Sequence, residues 1–138
     1  MKIALVILHA DPARGGAERY TVDLAAALGR RGHDVSLLAS SFAAPVEGVT
    51  SIPISANGAT RTHRYKRFLD ALDAHLDATS YDIVHAMLPV RRCDVYHPHA
   101  GIALEQSRKW NALFNPRRRA MASVERRLLT SASPGGAG

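Results

Sequence analysis

A glycine turn near the amino terminus contains the first residues whose types suggest ligand chemistry. Gly15 and Gly16 follow a short apolar run, and a helical pattern begins directly after them with Glu18 near its start. Glycine lets the backbone come close to a ligand, and a helix start offers unpaired N–H groups and a partial positive charge. This turn is therefore expected to bind a phosphate or a sugar hydroxyl. The alternative is a tight turn that only packs the helix against a sheet.

Four of the seven histidines form a second candidate set. Each lies at or just beyond the carboxyl end of an expected strand: His9, His85, His97 and His99. In an open parallel sheet such ends meet at one crevice, where ligands bind. The spacing of His97 and His99 is weak evidence for a metal, and no acidic ligand pattern accompanies it, so no metal site is expected. For any one of these histidines the alternative is a structural hydrogen bond at a strand end.

Basic residues interleaved with apolar ones dominate the segment near the carboxyl end. The basic residues considered for binding are Arg108, Lys109, Arg117, Arg118 and Arg119, and Trp110, Leu113 and Phe114 lie among them. This pattern suits an anionic membrane surface or a phosphorylated acceptor. A solvated helix face that docks elsewhere is at least as good an explanation. Nothing indicates base readout, so no nucleic acid partner is expected.

A smaller basic cluster lies in the middle of the chain, and we expect it to join the same surface. Its members are Arg61, Arg64, Lys66 and Arg67. The remaining polar groups suggest no catalysis: Ser40, Ser41 and Asp11 are interpreted as loop residues, and Cys93 as a packed thiol. A dinucleotide site is disfavoured, because the G-x-G-x-x-G pattern is missing and no acidic residue follows the second expected strand at the expected distance, where residues 39–42 are Ala-Ser-Ser-Phe.

Alternating strand and helix patterns must position these groups. Short apolar runs predict strands at residues 3–8, 34–39, 50–54, 81–86 and 94–97. A 3.6-residue period predicts helices at residues 17–31, 61–79 and 103–129, the last broken at 115–116. Gly32 is expected to end the first helix, and Pro53 to mark an edge strand. The predicted fold class is α/β, a Rossmann-like doubly wound parallel sheet with helices on both faces.

The inner faces of the first two helices can also be predicted from this period. On the first helix we expect Tyr20, Leu24 and Leu28 to face the sheet. The corresponding residues of the second helix are Tyr65, Phe68, Leu69, Leu72 and Leu76.

Length and composition agree with one domain. The chain has 138 residues, 46% hydrophobic residues, one cysteine and a formal net charge of +6. We expect a domain at residues 1–130 and a disordered tail or truncation stub at residues 131–138, which contains only Ser, Ala, Pro and Gly. The lone cysteine and the absence of a leader pattern predict a cytoplasmic protein, with possible attachment to the inner face of the membrane.

The motifs together resemble glycosyltransferase family 4. The resemblance rests on Gly15-Gly16-Ala17-Glu18-Arg19, on residues 24–35 with their RRGHDV ending, and on residues 81–86, which are similar to a DVVHAH strand. Residues 94–105 and 115–126 look like the lipopolysaccharide-core glucosyltransferases within that family. The resemblance covers residues 1 to about 129. It implies the N-terminal, acceptor-side half of a two-domain GT-B enzyme.

The resemblance also implies a reaction and roles for residues. The reaction is a retaining transfer from a nucleotide-sugar to a saccharide or lipid-linked cell-envelope acceptor, with no metal or other cofactor. Gly15 and Gly16 would approach the donor diphosphate, with Glu18 and His85 nearby, and His99 or His97 would contact the donor sugar. The nucleotide pocket would belong to a second Rossmann domain missing from these residues, so the chain alone is expected to be inactive. The alternative is a non-catalytic module that binds an anionic membrane or a partner subunit.

Overall fold

The structure, a computed structural model, describes residues 1–98 and 116–131. The strands of this part are Lys2–Val6 (β1), His9–Ala10 (β2), Asp34–Ala39 (β3), Ser41–Phe42 (β4), Val49–Pro53 (β5), Ile83–Ala86 (β6) and Val95–Tyr96 (β7). The helices are Gly16–Arg30 (α1), Arg61–Ala78 (α2) and Pro116–Ser131 (α3). The predictions for His99, Arg108, Lys109 and the helix over residues 103–115 lie outside the described residues, as does the tail beyond Ser131.

Five parallel strands form the main sheet in the order β5-β3-β1-β6-β7. The chain moves outward from β1 through β3 to β5, and α2 then returns it to the other side of β1, where β6 pairs. The direction of winding therefore reverses between β1 and β6. In doubly wound sheets a ligand crevice opens at this reversal, beyond the carboxyl ends of the strands. The predicted fold class is confirmed.

Burial explains why β1 is central and β5 lies at an edge. In β1, residues 3–6 are buried, because the strand is paired on both sides and covered on both faces. No residue of β5 is buried, and among the described strands it pairs only with β3. Pro53 is its last residue, where a missing N–H costs no sheet hydrogen bond toward a further strand. The edge position predicted from this proline is confirmed.

Apolar side chains fill both faces of the sheet. On one face Leu5 and Leu37 pack with Ala25 of α1. On the other, Val6 and Leu38 pack with Phe68 of α2, together with partly buried residues of α3. The predicted inner face of α2 is confirmed, because Tyr65, Phe68, Leu69 and Leu72 are buried and Leu76 packs against them.

The inner face of α1 differs from the prediction at one residue. Tyr20, expected to face the sheet, is 43% exposed, whereas Thr21 and Ala25 are fully buried. A shift of one residue turns a helix face by about 100°. The small side chains of Thr21 and Ala25 let α1 approach the sheet closely. The buried Thr21 hydroxyl donates a hydrogen bond to the Ala17 carbonyl of the same helix at 2.7 Å. Tyr20 is therefore left at the margin, where it can meet other groups.

Gly32 ends α1 as expected from the sequence. Its φ of 89° is in the left-handed region, which glycine adopts without steric cost. The Gly32 N–H donates to the Gly29 carbonyl at 3.0 Å, and the His33 N–H donates to the Leu28 carbonyl at 3.2 Å. These bonds satisfy carbonyls that the end of the helix would otherwise leave unpaired.

Two short strands were not predicted from the sequence. His9–Ala10 and Ser41–Phe42, interpreted as loop residues, pair in parallel as β2 and β4. They continue the chain beyond β1 and β3, and Ser40 ties the two extensions by donating its hydroxyl to the Leu8 carbonyl at 2.6 Å. The small sheet therefore extends beyond the carboxyl edge of the main sheet.

The strand predicted over residues 81–86 begins two residues later. Asp82 precedes β6, and its carboxylate accepts a hydrogen bond from the Lys2 N–H at 2.7 Å. Asp94 precedes β7 in the same way and accepts from the Val84 N–H at 2.7 Å. Both carboxylates lie at the amino edge of the sheet, away from the crevice. The last helix starts at Pro116, the position predicted for its second piece.

The connection from β6 to β7 is held against α2 by polar contacts. The buried Tyr65 hydroxyl donates to the Pro89 carbonyl at 2.6 Å. Further along, Arg91 bonds to Asp70 and Asp73 at 2.8 Å each, and Arg92 bonds to Asp77 at 2.7 Å. These ion pairs are mostly exposed, so each contributes little stability, but together they fix the path of the loop. Within residues 1–98 and 116–131, no helix has the length and apolar character that a membrane span requires.

Candidate functional site

The turn of Gly15 and Gly16 lies at the start of α1, above the carboxyl edge of the sheet. Gly15 precedes the helix, and no side chain caps the first turn. The Gly15 carbonyl accepts from the Arg19 N–H at 3.1 Å, which starts the helical hydrogen bonds. The first N–H groups of the helix therefore remain available to a ligand and carry the partial positive charge of the helix end.

The two glycines have different surroundings. A Cβ added to Gly16 would meet no atom within 4 Å, so the space beside it is open. Gly15 has a φ of 166°, an extended conformation that any residue can adopt. A Cβ on Gly15 would lie 3.2 Å from Oε2 of Glu18, because that side chain folds back over the turn. The carboxylate of Glu18 thus occupies the helix start in part, and Gly16 has the open side.

A cavity of about 800 Å³ opens beside this turn. Its lining comes from the segments that follow β1, β3 and β5 and from the starts of α1 and α2. The described lining residues are Leu8, His9, Arg14, Glu18, Ser40, Ala56, Asn57, Arg61, Arg64 and Tyr65. This lining is mostly polar, and its volume lies within the range of small-molecule sites. The cavity therefore occupies the position where doubly wound sheets bind ligands.

The predicted histidines divide into two places at the carboxyl edge. His9 lines the cavity, and its Nδ1 lies 2.7 Å from the Ser41 hydroxyl. His85 and His97 stack on each other, with ring centroids 6.0 Å apart and an interplanar angle of 14°. The His97 N–H donates to the Ala86 carbonyl at 2.9 Å, which fixes its position just after β7. The stacked pair is not part of the described cavity lining.

Helix α1 contributes one side chain to the cavity and another to the stacked histidine pair. Glu18 faces the cavity, and Tyr20 meets the His97 ring edge-on at a centroid distance of 5.4 Å. Residues two apart on a helix point about 200° away from each other, so the two side chains reach opposite sides of α1. The cavity thus brings His9 together with Arg14 and Glu18, which flank the glycine turn in the sequence, although neither glycine is among the described lining residues. His85, His97 and Tyr20 meet separately. No three His, Cys, Asp or Glu side chains of the described residues are grouped as a metal ion would require.

Three arginines of the cavity were not assigned to it from the sequence. Arg61 and Arg64 were expected to join the basic carboxyl-terminal surface, but they lie in the cavity wall with Arg14. A physical signal could have located them: in a βαβ unit each helix begins at the carboxyl edge, so the first turn of α2 must lie there. The side chains of Arg117, Arg118 and Arg119 are outside the described part, although their backbone lies in α3.

Buried polar contacts anchor β7 beneath His97. Glu125 of α3 is fully buried and accepts a hydrogen bond from the Tyr96 hydroxyl at 2.9 Å. Burial, followed by the hydrogen bond to this carboxylate, raises the pKa of Tyr96 far above its usual value. Tyr96 is therefore protonated at neutral pH and donates its hydroxyl hydrogen to the carboxylate. The contact ties α3 to the strand that ends at His97.

Cys93 belongs to the apolar packing and not to the site. It packs against the cluster between the sheet and α2, and burial raises the pKa of its thiol to about 11. A thiol with so high a pKa is a poor nucleophile at neutral pH. The interpretation of Cys93 as a packed thiol agrees with this environment.

The geometry above defines a Rossmann-type α/β domain with a ligand cleft at the carboxyl edge of its sheet. The family model of Glycosyltransferase Family 4 matches residues 14–133 of the chain. The chain belongs to this family, as the glycine turn and the later motifs predicted. No curated protein sequence matches the chain.

A solved structure shows the same fold. The crystal structure of WaaG, a glycosyltransferase involved in lipopolysaccharide biosynthesis, is similar to this chain with a TM-score of 0.75 and 22% sequence identity. The similarity covers 91% of this chain and 35% of the WaaG chain. The chain thus spans about a third of the length of that protein and has the fold of a GT-B fragment.

Proposed function

We propose that this chain forms the acceptor-side half of the active cleft of a retaining glycosyltransferase. The enzyme would move a sugar from a nucleotide-sugar to a saccharide or lipid-linked acceptor of the cell envelope. The observation that carries the proposal is the open turn at Gly16 beside a cavity of about 800 Å³ at the carboxyl edge. Family membership and the fold shared with WaaG support it.

The glycine turn would hold the donor diphosphate. Uncapped N–H groups at the start of α1 favour an anion, and the open side of Gly16 leaves room for it. Oriented N–H groups can stabilise the charge that develops on a leaving diphosphate, so no metal is needed for that purpose. Glu18 would line this region, whereas His85, assigned to it from the sequence, stacks on His97 outside the described cavity lining.

His99, or His97 in its place, would contact the donor sugar. His97 is held after β7 by its N–H, and its ring contacts those of His85 and Tyr20. Packing of this kind restricts the imidazole to a defined orientation, which substrate positioning requires. His99 follows two residues later in the sequence and lies outside the described residues.

The proposed enzyme needs further partners. Transfer requires a donor and an acceptor held together in a closed cleft, and a second Rossmann domain would bind the nucleotide and complete it. The domain predicted over residues 1–130 would then supply one wall. Arg108, Lys109, Arg117, Arg118 and Arg119 would bind the anionic inner surface of the cytoplasmic membrane or an anionic acceptor.

A transfer assay with labelled sugar nucleotides tests the proposal. The purified chain alone is expected to give no turnover, and the protein that joins it to a nucleotide-binding half is expected to be active. In that protein His97→Ala should lower kcat/KM by about tenfold or more, since it removes a positioning contact. His33→Ala is the matched control, because His33 lies at the amino edge beside Met1.

Three outcomes would contradict the proposal. Sustained transfer by the chain alone would show that a second domain is unnecessary. Equal activity of His97→Ala and His33→Ala would remove the histidine pair from the site. Binding to anionic liposomes without any transfer activity in the joined protein would instead support the non-catalytic alternative.

A further inference from the structure

The basic wall of the cavity points to a feature of the ligand beyond a sugar. Three arginines line it, Arg14, Arg61 and Arg64, and Glu18 is the one carboxylate among the described lining residues. Three guanidinium groups against one carboxylate leave an excess of positive charge around a cavity that is open to solvent. Such an excess strongly favours an anionic ligand over a neutral one.

These arginines contrast with others in the chain. Arg91 and Arg92 are held by carboxylates at 2.7–2.8 Å. Within residues 1–98 and 116–131, by comparison, no ion pair involves Arg61 or Arg64, and Arg14 has only a distant pair with Asp11 at 3.9 Å. Arg61 and Arg64 are therefore not held in ion pairs by the described part of the chain, and Glu18 offsets only part of the positive charge of the cavity wall.

Arg64 is nevertheless held in place. Its Nε donates to the Gly58 carbonyl at 2.9 Å, so the guanidinium is anchored by one nitrogen while its two terminal amino groups remain for a ligand. Gly58 allows this contact, because a Cβ there would lie 3.0 Å from the Arg64 backbone nitrogen and 3.0 Å from the His63 ring. An anchored guanidinium loses little side-chain freedom on binding, and its fork matches the oxygens of phosphate or carboxylate.

The position of these charges on α2 is unfavourable without a ligand. Helix starts carry a partial positive charge and favour acidic residues, yet the first turn of α2 has none. Arg61 is its first residue, and Arg64 follows one turn later on the same side. Two arginines at the start of α2 are thus electrostatically unfavourable for the fold. Residues that are unfavourable for the fold concentrate at functional sites.

We propose that this cavity binds an oxyanion group, a phosphate or a carboxylate, of the acceptor. The identification of the ligand as the acceptor rests on the proposed function. The anion site itself rests only on the residues of the cavity. The donor diphosphate is assigned to the glycine turn, and Arg61 and Arg64 lie across the cavity at the start of a different helix. The acceptor would therefore be an anionic sugar or polyol, and its charged group would orient it in the cleft.

A binding titration of the chain tests the proposal without any need for transfer. Chemical shifts of ¹⁵N-labelled protein would be followed with glucose 6-phosphate, glucuronate, glucose and UDP as probes. Glucose 6-phosphate or glucuronate should bind at least about tenfold more tightly than glucose, in keeping with charge-assisted hydrogen bonds. The tighter of the two anionic sugars identifies the group.

Variants separate a built site from general attraction. Arg61→Gln and Arg64→Gln should each weaken binding of the anionic sugar by about tenfold. Arg30→Gln removes the same charge at the far end of α1 and should leave affinity within about twofold. Gly58→Ala keeps every charge but displaces Arg64, so it should also weaken binding. The amide spectrum of each variant confirms that it is folded.

Three results would overturn the inference. Equal affinity for glucose and glucose 6-phosphate would show that the cavity does not recognise an oxyanion. An Arg30→Gln effect as large as that of Arg61→Gln, with no effect of Gly58→Ala, would show attraction by net charge alone. Tighter binding of UDP, lost in the Arg61 and Arg64 variants, would assign the cavity to the donor diphosphate. None of these results would by itself refute glycosyl transfer, which the separate turnover assay decides.

Discussion

Replacing Arg61 by glutamine is expected to stabilise the folded chain in dilute buffer that lacks phosphate. Arg61 opens α2, where the partial positive charge of the helix repels a cation by about 0.3–1 kcal/mol. The like charge of Arg64, three residues later, adds about 0.2–0.5 kcal/mol. Arginine and glutamine have similar helix propensities, so the exchange itself changes little. The free energy of unfolding should therefore rise by about 0.5–1.5 kcal/mol.

Arg64→Gln is expected to behave differently from Arg61→Gln. Arg64→Gln relieves a similar repulsion but also loses the hydrogen bond to the Gly58 carbonyl, which contributes about 0.5–1.5 kcal/mol. These effects nearly cancel, so Arg64→Gln should leave stability almost unchanged. Arg30 lies in the last turn of α1, where a cation is favourable, and Arg30→Gln should destabilise by about 0.3–1 kcal/mol.

Urea unfolding at low and high salt measures these differences. The order of stability in dilute buffer should be Arg61→Gln first, then the unchanged chain with Arg64→Gln, then Arg30→Gln. For a domain of this size the Arg61→Gln gain corresponds to about 2–6 °C in Tm. At 1 M NaCl the differences should shrink, because charges are screened over about 3 Å. A loss of stability in Arg61→Gln as large as that in Arg30→Gln would refute this reasoning.

Four further predictions concern the packing of the domain. Tyr96→Phe should lower the free energy of unfolding by about 1–3 kcal/mol, because buried Glu125 loses a hydrogen bond; urea unfolding measures this, and no change would contradict it. Gly32→Ala should cost about 1–2 kcal/mol at a φ of 89°, whereas Gly16→Ala should keep stability; equal Tm changes would oppose this contrast. Iodoacetamide should alkylate Cys93 about a hundredfold more slowly at pH 8 in the folded chain than in urea, since burial raises the thiol pKa from 9.0 to about 11. The same burial should make stability fall as the pH rises from 9.0 toward 11, where the unfolded thiol ionises first; a flat profile would contradict this.

Hydrophobic patterning was sufficient to predict the main sheet. Strands β1 and β3 are covered on both faces, so most of their residues must be apolar. The run from Ile3 to Leu8 and the segment 34–39 therefore show apolar stretches of strand length. The small sheet of His9–Ala10 and Ser41–Phe42 left none, since two residues are too few to show a period. Its existence depends on the two chains continuing side by side beyond β1 and β3, which is a tertiary property.

The side-chain details were harder to predict for similar reasons. The helical period places Tyr20 and Leu24 on one face of α1. The side that faces the sheet depends on how closely α1 can approach it, and the smaller Thr21 and Ala25 occupy the fully buried positions. For the site, parallel topology correctly placed His9 and His97 at the carboxyl edge. It could not tell that α1 separates His9 from the stacked pair of His85 and His97, because that depends on the rotation of one helix.

The co-crystal structure of the chain with glucose 6-phosphate tests most directly whether the carboxyl edge of this sheet is the ligand-binding edge. The phosphate oxygens are expected within hydrogen-bond distance of the Arg61 or Arg64 guanidinium, with the sugar ring directed toward His9 and Glu18. Density for the ligand at the amino edge, beside Tyr81 and Asp82, would contradict the assignment of the cleft.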